Sequence, residues 1–130
     1  MTTGRSVPVP TTDAAVTRKL SGPARGQMTL APVLAALSDP VRLEIVCLLA
    51  SGGERSCGSF QLPIAKSTLT HHLKVLREAG VIEQRPVGTS RITYLRRKDL
   101  NARFPGLLDS VLVAARKRRG RAYVAKRALL

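Results

Sequence analysis

Four stretches of this chain repeat their apolar residues at helical spacing, and between the third and the fourth the period drops to two. Leu30, Val33, Leu34 and Leu37 stand at i, i+3, i+4 and i+7, which predicts a helix beginning near Thr29, with Pro32 tolerated in its first turn. A second helix follows at once. Asp39 is its N-cap, Pro40 takes the first helical position, where a missing N–H costs nothing, and Val41, Ile45, Leu48 and Leu49 form its buried side. Gly52 and Gly53 end it. From Glu54 to Ala65 the pattern weakens. Gly58 and Pro63 leave room for about one helical turn around residues 59–62, with Phe60, Leu62 and Ile64 packing beneath the helix that follows.

That third helix, KSTLTHHLKVLREAG over residues 66–80, organises the rest. Leu69, Leu73 and Leu76 fall in one narrow stripe, with His72 and Ala79 at its edge. Ser67, Thr70, His71 and Lys74 make the opposite face, Glu78 stands a turn further along, and Lys66 and Thr68 flank the first turn. Ala65 is a poor N-cap, so either Ser67 caps a helix starting at Thr68 or tertiary contacts hold the first turn; an absent cap costs about 1 kcal/mol. Gly80 reads as the C-cap. Residues 81–85 and 91–95 are β-prone runs joined by a loop at residues 86–90 with Gly88 at its tip, which predicts a hairpin. The last helix enters near Pro105 and Gly106 and carries Leu107, Leu108, Val111, Leu112 and Ala115 on one side. A short helix, a tight turn and a longer helix make a helix-turn-helix, and a hairpin beside it makes a wing. The predicted fold is mainly α with a small β-hairpin wing: a winged helix-turn-helix, dimeric.

Charge narrows the partner. The 130 residues carry a formal net charge of +14, which points to a polyanion such as nucleic acid or an acidic membrane surface. With no Trp, two Tyr and two Phe, a single-strand binder built on stacking is poorly supported. The N-terminal stretch lacks the apolar core of a signal peptide and no apolar run is long enough to span a bilayer, so a soluble, cytoplasmic protein is expected, with no membrane partner. Two cysteines, Cys47 and Cys57, make no disulfide framework. Eight carboxylates, no nucleophile constellation and no phosphate-cradling glycine loop argue against an enzyme.

Double-stranded DNA is the partner that the polar face of the third helix fits. Lys66, Ser67, Thr68, Thr70, His71 and Lys74 are groups that reach base edges and phosphates, and Arg85, Thr89 and Arg91 of the hairpin are placed to meet the backbone or the minor groove. Residues 1–27 read as a disordered basic arm, 28–118 as the DNA-binding domain with terminal dimerisation helices, and 119–130 as a basic tail that attracts phosphates without sequence preference. The stripes of Leu30, Val33, Leu34 and Leu37 and of Leu107, Leu108, Val111 and Leu112 suit a homodimer interface, since a two-fold dimer presents its reading helices to two half-sites. The rival reading is a sequence-independent cationic coat on nucleic acid.

Two motifs resemble the ArsR/SmtB family of small winged-helix repressors. Residues 36–43, ALSDPVRL, resemble that family's "ALSDPTRL", and residues 67–82, STLTHHLKVLREAGVI, resemble its "STVSHHLKVLREAGLV", at the expected separation and followed by a Tyr-containing hairpin. The resemblance implies a homodimer that holds an inverted repeat in a promoter and lets go when an inducer binds. It places Ser67, Thr68, Thr70 and His71 at base- and phosphate-contacting positions with Lys74 behind them, and gives His72 a role supporting the helix. The metal-sensing members' Cys-x-Cys box, as in "ELCVCDL", is here ERSCGSFQL with one cysteine, and the last helix has Asp109 but no histidine. One Cys and one Asp do not close a metal site, so neither metal nor cofactor is expected. Cys57, with or without Cys47, is a candidate redox switch; the alternative is a pair of inert thiols. The inducer is not assigned.

Overall fold

Local caps and glycines divide the chain into its elements in the computed structural model, which describes residues 22–56 and 59–118. A 3-10 turn at Arg25–Gln27 precedes α1 (Leu30–Leu37), α2 (Pro40–Gly52), β1 (Arg55–Ser56), α3 (Lys66–Ala79), β2 (Ile82–Val87), β3 (Ser90–Leu95), α4 (Arg97–Arg103) and α5 (Leu107–Arg118). The Asp39 side chain accepts hydrogen bonds from the amides of Val41 at 2.7 Å and Arg42 at 3.1 Å, with Pro40 as the first helical residue, so α2 starts as its sequence predicts. Helix α3 starts at Lys66 with no side-chain cap at Ala65, so of the two expected beginnings the one held by tertiary contacts is found. Leu69 and Phe60 are buried at that first turn. Gly80 ends the helix at φ 95°, and the Val81 amide closes on the Leu76 carbonyl at 2.9 Å.

The three-stranded antiparallel sheet has the order β1-β3-β2. Ile82 pairs with Leu95, Gln84 with Thr93 and Val87 with Ser90, so the hairpin is longer than predicted and turns on Gly88 and Thr89 alone. Gly88 at φ 63° suits a two-residue turn that opens on glycine, and Pro86 is accommodated because β2 is an edge strand. Of the helical turn expected at residues 59–62, Ser59 is 3-10 and residues 60–62 are not helical; Pro63 biases Leu62 toward extended backbone, and the chain runs irregularly to α3. Strand β1 and helix α4 were not predicted. Two residues are too few to show a period, and α4 buries only Leu100.

One core serves the whole domain. Val33, Ala36 and Leu37 of α1, Ile45, Val46 and Leu49 of α2, Leu69, Leu73 and Leu76 of α3, Val81 and Ile82, and Leu108, Leu112 and Ala115 of α5 are buried together. Of the residues expected to form an interface on α1 and α5, Val33, Leu37, Leu108 and Leu112 turn into the chain's own core. Leu30 and Leu34 remain 47% and 45% exposed, Leu107 and Val111 are half-buried, and Val113, which the stripe left out, is 54% exposed.

Residues 22–27, assigned from sequence to the arm, instead form a strap with Met28. The Arg96 guanidinium donates to the Pro23 carbonyl at 2.7 Å, Arg103 donates to the Met28 carbonyl at 2.6 Å, and Arg25 pairs with Asp99 at 2.7 Å. Met28 is fully buried, its side chain lying where a Cβ on Gly80 would meet it at 3.0 Å. Residues 1–21 and 119–130 lie outside the described residues, as does Cys57. Replacing Met28 with Ala is expected to lower stability by about 2–5 kcal/mol in urea unfolding, the range for emptying a buried Met site; a loss under about 1 kcal/mol would make the strap peripheral to the core.

Candidate nucleic-acid interface

A helix that buries a leucine seam must expose what lies opposite, and α3 does so. Lys66, Ser67, Thr68, Thr70, His71 and Lys74 are all exposed, while Leu69, His72, Leu73, Leu76 and Ala79 are buried. The Thr70 hydroxyl donates to the Lys66 carbonyl one turn back at 3.0 Å, so its single proton is committed and its oxygen faces outward as an acceptor. Adjacent on the helix, His71 and His72 part to opposite environments, with ring centroids 5.9 Å apart. Among the described residues, no carboxylate lies within ion-pair distance of Lys66, Lys74 or Arg91.

The wing is less uniform than its sequence suggested. Arg85, Thr89 and Arg91 are exposed near the turn, but strand alternation puts Arg85 on the face of Ile92 and Tyr94 and Arg91 on the opposite face with Thr93. The Arg85 guanidinium lies over the Tyr94 ring at 4.8 Å and reaches Glu54 at 3.4 Å. The Tyr94 hydroxyl is pushed up to about 12, first by burial and then by its hydrogen bond to Glu83. Arg85 is thus already engaged by its own chain, whereas Arg91 is open. The alternation of Glu83 and Arg85 against Ile92 and Tyr94 was the signal for this cluster, legible only once the register is known.

Cys47 is buried in the core of α2. Among the described residues no group of three or more His, Cys, Asp or Glu side chains is gathered to hold a metal ion, and no helix is long and apolar enough to cross a membrane.

Known proteins share the helix-turn-helix. Residues 37–85 match the family described as helix-turn-helix domain. The uncharacterized HTH-type transcriptional regulator YceK of Bacillus subtilis is 37% identical over 84 residues, spanning 62% of this chain and 84% of that protein. The biofilm growth-associated repressor of Agrobacterium fabrum is 37% identical over 87 residues, spanning 65% and 73%. A crystal structure titled "Possible transcriptional regulator for arsenical resistance" superposes with a TM-score of 0.52 at 32% identity, over 63% of this chain and 84% of that one. The chain belongs to the ArsR-type winged helix-turn-helix transcriptional regulators.

In this ArsR-type regulator the two sequence motifs meet physically. Arg42, from the first motif, donates through Nε to the Ala36 carbonyl at 2.7 Å and through Nη2 to the Ala35 carbonyl at 3.4 Å. Its Nη1 stands 3.2 Å from Nδ1 of His72, from the second. A guanidinium only donates, so His72 Nδ1 accepts and the ring is the neutral tautomer with its proton on Nε2. Arg42 therefore ties the C-terminal carbonyls of α1 to the buried side of α3.

Burial holds the His72 imidazole below the ordinary histidine range; Asp39 opposes this, and the charges of Arg42 and His71 reinforce it. The unfolded chain takes up a proton near pH 6.5 and the folded chain resists it, so the unfolded state binds more protons there. Stability is therefore complete above that pH and falls as the solution is acidified through it. Urea titrations between pH 8 and pH 5 are expected to show this loss, and His72→Gln, which keeps an acceptor for Arg42 but cannot titrate, is expected to remove that part of the slope. An unchanged slope in His72→Gln would place the pH dependence elsewhere.

Proposed function

We propose that this regulator is a repressor that binds an inverted-repeat operator as a homodimer, inserts α3 of each protomer into the major groove, and is released by an inducing signal. The observation that carries the reading is the exposed first two turns of α3, which offer hydroxyls, an imidazole and two lysines without an acid, on a helix anchored by buried Leu69, Leu73 and Leu76. Ser67, Thr68, Thr70 and His71 read bases and nearby phosphates in this scheme, with Lys66 and Lys74 on the backbone. Arg91 and Thr89 meet the flanking strand, and Arg85 does so only by leaving Glu54. The relatives named as transcriptional regulators and as a repressor support the same direction. Exposed Leu30, Leu34 and Val113, with half-buried Leu107 and Val111, support a two-fold contact built from α1 and α5. The basic residues from Arg116 onward add phosphate attraction, and a DNA-binding regulator of this kind works in the cytoplasm.

Selection of duplexes from a random pool with the purified protein is expected to yield a two-fold symmetric consensus, bound at least about 10³ times more tightly than random DNA at physiological salt. Thr70→Ala or His71→Ala is expected to reduce that ratio, whereas neutralising Arg116 and the tail weakens specific and random binding alike and lowers the salt slope. Equal binding to all duplexes at every ionic strength would instead identify a cationic coating protein. Leu34→Asp is expected to shift the protein from dimer to monomer in sedimentation and to lose operator binding with it; an unchanged dimer would move the contact away from α1.

A further inference from the structure

The inner face of the hairpin changes character on the way from its base to its tip. At the base Ile82 pairs with Leu95; at the next inward rung Gln84 pairs with Thr93; beyond that stand Pro86 and Arg91, both exposed. The middle rung is the last buried one, with Gln84 2% and Thr93 0% exposed, and it is polar. Arg77, in the last turn of α3, donates through Nη1 to Gln84 Oε1 at 2.9 Å, and Gln84 Nε2 donates to Thr93 Oγ1 at 3.1 Å. One chain of directed bonds thus runs from the reading helix through β2 to β3, at the place where the wing leaves the core.

An apolar rung would bury as well, because removing both partners of a buried hydrogen bond is nearly neutral for stability. It would not orient as well, since packing contacts are non-directional while hydrogen bonds lose strength steeply with angle. We propose that Arg77, Gln84 and Thr93 are positioning residues that fix the angle between reading helix and wing, so that a major-groove contact and a flanking backbone contact are made by one rigid unit. The network acts on DNA through Arg91 and Thr89, and that part rests on the operator-binding reading given above.

The test replaces the polar rung by an apolar one of similar shape, Gln84→Leu with Thr93→Val, and separately removes the donor with Arg77→Met, which lies half-buried and leaves the rung in place. Two readouts are needed. In the free protein, residual dipolar couplings for α3 and for the hairpin are expected to fit a single orientation in the wild type and to require two in both variants, with the melting temperature nearly unchanged in the double variant and lowered in Arg77→Met, where buried Gln84 Oε1 loses its Arg77 donor. On the duplex recovered by selection, hydroxyl-radical protection at the flanking wing positions is expected to disappear, with major-groove protection by α3 retained and Kd raised about tenfold, the scale of one lost charge-assisted contact. Gln84→Glu, which keeps the acceptor for Arg77 and lets the Thr93 hydroxyl turn to donate where it now accepts, is expected to retain wing protection.

Couplings that still fit one orientation in Arg77→Met would overturn the proposal even if the double variant does not fold. Loss of wing and major-groove protection together in a folded variant would also overturn it, since a merely structural role moves both. If the wild type prefers no duplex, the operator reading fails, and the dipolar couplings alone decide the network.

Discussion

An α-helix in a small domain can bury only one side, and the seam of Leu69, Leu73 and Leu76 decides which side α3 buries. Everything functional follows from that choice. Once the seam meets α1 and α2, the hydroxyls, imidazole and lysines of the other side have no place except solvent. The buried seam leaves some freedom of rotation about the helix axis, and Arg42 removes it. Its guanidinium donates to the Ala36 carbonyl at the end of α1 and, at longer range, to that of Ala35, which Ser38 also caps, and it holds the one polar residue of the seam, His72. The first motif is therefore a clamp for the second, a relation that two motifs separated along the chain do not disclose.

The helices were legible because each carries a strong local signal. The Asp39 and Pro40 pair starts α2, the αL glycine at position 80 ends α3, and the leucine spacing sets each buried face. What escaped the sequence depends on distant partners. Strand β1 exists only because Arg55 and Ser56 lie beside Thr93 and Ile92, and the strap is held by Arg96 and Arg103, which are far from it along the chain. The stripes on α1 and α5 were read as one surface each, but both helices lie across the core edge, so half of each stripe turns inward. Periodicity gives the direction of a face and not what covers it.

The candidate site was legible on α3 and only partly so on the wing. All six α3 residues singled out from sequence are exposed together on one helix, because helical geometry is local. The two wing arginines depended on register. An odd number of positions separates a residue from the opposite face, and the pairing of Arg85 with Ile92 and of Pro86 with Arg91 sends them apart. Arg85 then finds Tyr94 and Glu54, leaving Arg91 as the open charge of the hairpin.

The claim on which this account rests is that the face of α3 opposite the leucine seam is the surface that meets duplex DNA. Titrating a DNA duplex into isotope-labelled protein and following backbone amide shifts tests it directly. The account predicts the largest changes at Ser67, Thr70, His71 and Lys74, with a second group at Thr89 and Arg91. Changes confined to the strap, α4 or the basic C-terminal residues, with the amides of α3 unmoved, would contradict it.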